Sequence, residues 1–228
     1  MSVIGGRCAV SETRRWHNGC VSVLQSICAV FRQPAAPSIR VPRWIGIPQC
    51  PIKLRPITAD DEEEWNEVRW RNDAWLHPWE SGDPMHGSPM TYNQWMQQMR
   101  HNEQTGRGVV FAIDYHEHIV GQISLGAIDL GSMRTGVIGY WVDQRWAGRG
   151  IIPTALALAV DHCFFTLHLH RMEVAIRPEN VRSLRVVEKL GFRFEGQRPA
   201  YMHVDGAWRD HLMFALHAEE VGPEGLIG

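Results

Sequence analysis

From Ile52 onward the apolar and polar positions fall into regular runs. Ile52-Lys53-Leu54-Arg55-Pro56-Ile57 alternates with the two-residue period of a strand that buries one face. Thr58-Ala59-Asp60-Asp61-Glu62 follows, a capping residue and a run of acids suited to the positive end of a helix, and it predicts a helix start. Leu76 to Pro89 is rich in Pro, Gly, His and Ser and reads as a loop, after which Thr91 caps a helix to about Glu103. Val109 to Tyr115 and His118 to Ile128 are β-branched and apolar with His116-Glu117 between them. Arg134 to Val142 adds another strand after Gly131-Ser132, so this part of the chain predicts an antiparallel meander.

Gly148 to about Leu167 carries the clearest helical period, followed by a strand at Arg171 to Arg177 and a helix at Asn180 to Leu190. Two late strands join through Asp205-Gly206. A strand, a helix and a strand in succession imply a parallel pair with a right-handed crossover inside a mostly antiparallel sheet. The fold class is mixed α/β, and no internal repeat is visible.

Residues 1–51 lack this regularity. They hold four of the five cysteines and the Gln33-Pro34-Ala35-Ala36-Pro37 stretch, and they read as a disordered or loosely packed extension ahead of one domain at 52–221, with a short tail at 222–228. Arg7, Arg14 and Arg15 before the apolar run Val21 to Phe31 imitate a secretory leader. That run is about half of the ~20 residues needed to span a bilayer, and Gln25 interrupts it.

Composition narrows the function. A hydrophobic content of 44% supports a packed core. A net charge of −2 offers no basic surface for nucleic acid. The odd number of cysteines, with no C-x-x-C pair, points to a reducing, cytoplasmic setting without a disulfide framework. His162-Cys163, His168 and His170 invite a metal reading, but adjacent helical side chains diverge and no carboxylate stands at ligand spacing. The expectation is no metal.

The most informative stretch is Ile138-Gly139-Tyr140-Trp141-Val142-Asp143-Gln144-Arg145-Trp146-Ala147-Gly148-Arg149-Gly150-Ile151, a strand running through a glycine-bearing turn into a long helix. Free N–H groups at a helix start, the macrodipole and glycines that admit close backbone approach make such a junction an anion site. It lacks the Lys and hydroxyl of a Walker A loop, and Pro153 stands where a dinucleotide loop needs its third glycine.

What remains, Arg145-x-x-Gly148-x-Gly150, resembles the pyrophosphate motif of the GNAT acetyltransferases. Arg177-Pro178-Glu179-Asn180-Val181-Arg182-Ser183-Leu184 through Glu188-Lys189-Leu190-Gly191-Phe192 resembles a second segment of that family, one strand later. The likeness runs from about Ile52 to Val221, and Gly139-Tyr140-Trp141, Glu195-Gly196 and Trp208-Arg209-Asp210-His211 resemble its RimJ/RimL branch, which acetylates protein N-termini.

The resemblance implies a GNAT fold whose parallel strands splay apart around acetyl-CoA. It assigns the pantetheine arm to the Trp141 and Val142 backbones, the pyrophosphate to Arg145, Trp146, Ala147, Gly148, Arg149 and Gly150, and a bond near the arm to Asn180. Many members place a tyrosine seven residues after that asparagine to protonate the leaving thiolate. Val187 stands there in this chain, and the RimL-like branch suggests Ser183 instead.

Glu80 in Pro78-Trp79-Glu80 is the candidate base. The demand on it depends on the acceptor. An α-amine of pKa about 7.7–8.0 is on the order of 10% neutral at pH 7, whereas a lysine amine has roughly 3–4 kcal/mol further to go. The acceptor expected is a protein N-terminus, ribosomal or other. A small-molecule amine, or an acyl-CoA-binding module without turnover, is the alternative. No membrane or nucleic-acid partner is expected, and monomer and homodimer both stay open.

Overall fold

Alternation in the sequence becomes strands β1 (Ile52–Pro56), β2 (Val109–Tyr115), β3 (His118–Asp129), β4 (Thr135–Val142), β5 (Arg171–Ile176), β6 (Arg193–Val204) and β7 (Ala207–His217). The structure is a computed structural model and describes residues 39–85 and 90–227. The strands form one sheet in the order β1-β2-β3-β4-β5-β7-β6, antiparallel throughout except for β4 and β5. This is the mixed sheet with one parallel pair that the pattern predicts.

Side chains of β2 show how the sheet builds two cores. Val109, Phe111 and Ile113 enter the larger cluster, while Ala112 joins Ile57, Tyr92, Met96, Met99 and Ile119 on the opposite face. Helices α1 (Glu62–Arg71), α2 (Asp73–Leu76) and α3 (Tyr92–Gln104) precede the meander, with α1 on β3 and α3 on β2. Thr58 and Thr91 make the capping contacts their positions suggest, Thr91 through Gln94 and Thr58 through Asp61. Asp61 also accepts two bonds from Arg55, at 2.9 and 2.8 Å. Burial alone would raise its carboxyl, but Arg55 and Thr58 hold it below the ordinary value.

The crossover helix α4 (Ile151–Asp161) is apolar on nearly every side and buried, as a helix between a sheet and its neighbours must be. It begins three residues later than the pattern predicts. Gly148 and Gly150 have φ of 78° and 79°, left-handed values that no helix contains. Its end widens into a π turn at His162–Thr166, where Leu167 N–H reaches the His162 carbonyl at 3.1 Å. Helix α5 (Val181–Lys189) packs near α4, with Val187 fully buried.

The boundary expected at residue 52 needs correction for the described residues. Ile39 is buried and donates its N–H to the Glu103 carbonyl at 3.1 Å, and Ile45 bridges Leu54 with bonds of 2.7 and 2.8 Å. Val41, Ile45 and Cys50 pack on the main core. An apolar residue at every few positions was enough to cover the outer edge at β1, although it has no helix or strand period. The apolar run Val21 to Phe31 lies outside the described residues. At the other end, Leu226 N–H bonds the Asp161 carboxylate at 2.9 Å, so the tail is docked on α4. The predicted loop at Leu76 to Pro89 holds the end of α2 and a 3₁₀ turn at His77–Trp79; residues 86–89 lie outside the described set. Among the described residues no helix is long and apolar enough to cross a membrane.

Candidate active site

Pairing between β4 and β5 runs only from Thr135↔Arg171 to Val137↔Glu173. Beyond it the strands part, and a cleft of about 440 Å³ opens between them. Its walls include Ile138 to Tyr140, Val174 to Arg177, Asn180 and Ser183, with Tyr201, Met202 and His211 from the late hairpin.

Backbone direction along β4 decides which groups face this gap. Asp143 N–H bonds the Val120 carbonyl at 2.8 Å, and the alternation of an antiparallel ladder then turns Trp141 and Gly139 toward β3 as well. A Cβ built on Gly121 would lie 2.3 Å from the Trp141 carbonyl oxygen, which confirms that direction. Ile138, Tyr140 and Val142 present their backbones to the gap instead. The Trp141 backbone, expected at the pantetheine arm, thus faces β3, and it is its neighbours' backbones that face the gap. Val142 faces the right way, but its carbonyl accepts the Trp75 indole N–H at 3.1 Å.

Next comes the turn. Asp143 is 1% exposed and accepts from the Arg145 N–H at 3.0 Å, from the Arg145 guanidinium at 2.8 Å and from Arg71 at 2.9 Å. Burial would raise its carboxyl, yet the Arg145 and Arg71 donors hold it below the ordinary value. The Asn72 side-chain oxygen accepts a further bond from the Gln144 N–H at 2.8 Å. The end of α1 is thus fastened to the turn, and Arg145 spends much of its charge on Asp143 rather than on a ligand. Arg149 lies over the Trp146 ring at 4.8 Å, and Trp146 meets Tyr115 edge-on.

Beyond the turn, a Cβ at Gly148 or Gly150 would meet nothing within 4 Å. The space above both glycines is open, so only a ligand would be crowded by a side chain there. Ile151 and Ile152 have no acceptor for their N–H groups within α4, Pro153 has no N–H, and Thr154 closes onto the Gly150 carbonyl at 3.2 Å. No acidic side chain occupies this first turn. Donors, dipole and open space fit a diphosphate group.

Asn180 caps α5, its side chain accepting from Ser183 N–H at 3.2 Å, and both residues line the cleft. The Tyr140 hydroxyl reaches the Ser183 carbonyl at 3.4 Å, and burial pushes that phenol up to about 12. Glu80 is not among the lining residues. Its carboxylate pairs with the Arg69 guanidinium, whose central carbon stands 5.2 Å from the Trp141 ring centroid. Trp79 and Ser81 on either side of it do line the cleft, and Ser81 bridges Val204.

Two late residues separate here. Tyr201 lines the cleft, while His203 packs on Trp208 at 5.8 Å. A break in β6 between Arg198 and Met202 presents Tyr201, and Asp210 braces it by accepting from Ala200 N–H at 2.8 Å and Gln197 at 2.6 Å. Sequence reasoning missed Asp143, Asn72, Arg71 and Trp75 as supports; only Asp143, directly before the motif at a capping position, carried a local signal. His162 and Cys163 are buried in the core and His170 pairs with Glu219; among the described residues no His, Cys, Asp and Glu group could hold a metal ion.

Comparison with known proteins agrees with this geometry. Residues 52–193, more than half of the chain, match the family model described as an acetyltransferase (GNAT) domain. A Bacillus subtilis protein named "Probable N-acetyltransferase YjcK" is 30% identical over 72% of this chain and 93% of its own length. The [ribosomal protein uS5]-alanine N-acetyltransferase of Escherichia coli is 29% identical over 72% of this chain and 87% of its own. Mycobacterium smegmatis RimJ, solved in complex with CoA-disulfide, is 37% identical with a TM-score of 0.72, covering 77% of this chain and 86% of that one. By its sequence motifs, its splayed sheet and these matches, the chain belongs to the GNAT acetyltransferase family.

Proposed function

We propose that this acetyltransferase moves the acetyl group of acetyl-CoA onto the α-amine of a protein N-terminus, with a ribosomal protein as the acceptor class that its relatives' names suggest. The cleft carries the reading. It is lined by Tyr140 of β4, the strand whose chain runs on through the Asp143–Gly150 turn to the free N–H groups at the start of α4, and by Trp79, Tyr201 and Met202. The diphosphate belongs on the N–H groups from Gly148 to Ile152 with Arg149 beside it. The pantetheine arm belongs along the gap edge of Ile138, Tyr140 and Val142. Asn180 holds the nearby helix start, and the Ser183 hydroxyl serves the departing sulfur.

Cleft chemistry favours an α-amine over a lysine. Among the described residues lining it there is no Asp, Glu or Lys. A site so poor in strong bases suits an acceptor that is already about 10% neutral at pH 7. Thiol release from acetyl-CoA tests the reading, using peptides with free Ala or Ser N-termini, the same peptides N-blocked but carrying lysine, and a polyamine. Turnover with the free N-termini alone is expected. Turnover confined to the blocked peptides or the polyamine would overturn it.

A further inference from the structure

We propose that His211 is the group that takes the proton from the attacking amine, through its Nε2 atom at the wall of the cleft. The inference deepens the function proposed above and rests on it.

Three observations carry it. First, His211 is the one imidazole among the described residues that line the cleft, which holds no carboxylate and no lysine there. Tyr140 and Tyr201 are phenols, and Arg177 is a cation that cannot accept a proton. Second, the ring is oriented. Nδ1 lies 3.0 Å from the Arg209 carbonyl, and a carbonyl can only accept, so Nδ1 carries the hydrogen. In the neutral ring the lone pair is then on Nε2, for which the structure shows no protein partner among the described residues. Third, the ring is held. It is 4% exposed, stands in the β7 ladder opposite Arg198 and meets Tyr201 edge-on at 5.8 Å.

The charges around it favour a free base at neutral pH. Burial lowers the imidazole from its ordinary value and Arg177 pushes the same way. The Arg209 carbonyl, Glu179 and Asp210 pull in the opposite direction and are outweighed. Arg177 itself is pinned by the Pro78 carbonyl at 2.7 Å and by Glu179 at 3.2 Å, with Trp79 beneath it. Glu80, the other candidate for the role, is paired with Arg69 and is not among the residues that line the cleft.

The step balances as follows. The amine lone pair attacks the thioester carbonyl carbon, a C–N bond forms, and the carbonyl π pair moves to oxygen. Nε2 removes one N–H proton from the new ammonium. The oxyanion re-forms the carbonyl, the C–S bond breaks, and its electron pair leaves on sulfur. The thiolate takes one proton, from the Ser183 hydroxyl or from water, while the imidazolium returns its own to that donor or to solvent. Amide and CoA thiol are the products, and His211 ends neutral.

Three measurements test this on the full chain. Long-range ¹H–¹⁵N spectra of the wild-type protein should show His211 as the neutral Nδ1–H tautomer at pH 7, titrating below about 6.5. An Nε2–H tautomer or an imidazolium at pH 7 overturns the proposal without reference to activity. The wild type should lose kcat at acid pH; for H211Q, kcat on a free N-terminal peptide should fall about 10²-fold and that acid decline should be absent. CoA affinity by calorimetry should stay within about threefold of wild type, since the proposed CoA contacts lie elsewhere. An active wild type with unchanged kcat and acid limb in H211Q would refute the base and leave the acceptor assignment standing. A wild type inactive on every free N-terminus would refute the acceptor assignment instead.

Discussion

Replacing Asp143 with alanine strikes the joint that connects α1 to the turn before α4. The carboxylate is 1% exposed and accepts from Arg71, from the Arg145 guanidinium and from the Arg145 N–H. The Arg71 bond, to a partly buried guanidinium, is worth about 1.5–3 kcal/mol. The backbone cap adds about 1 kcal/mol. The Arg145 side chain is 61% exposed and its share is discounted to near zero by solvent screening. A loss of about 2–4 kcal/mol is expected, against a total stability of about 5–15 kcal/mol.

At about 2–4 °C per kcal/mol for a chain of this size, the melting temperature should fall by roughly 5–15 °C. CoA affinity should drop at least about tenfold, because the donors at the α4 start lose their frame. The pH dependence carries a sign. The folded carboxyl is lowered from 3.8, so the unfolded chain binds the extra proton, and the stabilisation is present above that value and lost as pH falls through the folded one. The gap between wild type and D143A should therefore be constant near neutrality and narrow below about pH 4. Calorimetric melting across pH and CoA titration at 25 °C measure both. A variant with wild-type melting and wild-type affinity would refute the reasoning.

Other outcomes follow from the same geometry. Gly148→Ala should cost about 1–2 kcal/mol for its left-handed backbone, with no clash inside the protein, and lower CoA affinity at least about tenfold by calorimetry. Unchanged affinity would remove this loop from the CoA site. A chain beginning at Ile52 should be about 2–4 kcal/mol less stable to urea than one beginning at Ile39, because Ile39 and Ile45 leave the core; equal midpoints would contradict the packing of residues 39–51. Ser183→Ala should keep its melting temperature and lose about 10²-fold in kcat, whereas Asn180→Ala should lose about 0.5–2 kcal/mol of stability with its cap. A Ser183→Ala variant with near-normal kcat leaves solvent as the proton source.

Local physics was readable from the residues alone. Strands appear where apolar positions alternate, helices start where Thr91 meets Gln94 and Thr58 meets Asp61, and the glycines before Ile151 announce a turn, since each signal spans only a few positions. The meander and the parallel pair followed from the succession of strands and of strand, helix and strand, whereas the insertion of β7 between β5 and β6 was visible only in the sheet. Tertiary structure alone decided what depends on partners far apart in the chain. Arg71 meets Asp143 across 72 positions, Trp75 reaches Val142 across 67, and Arg69 pairs with Glu80. Which face of β4 serves the gap required the β3 register, because alternation tells that faces differ but not which one has lost its neighbour. Residues 39–51 have no period to read, and only the uncovered apolar edge at β1 explains why they pack. His211 gains its character from burial, a carbonyl two residues back and a cleft whose described lining holds no carboxylate, a conjunction that no sequence spacing encodes.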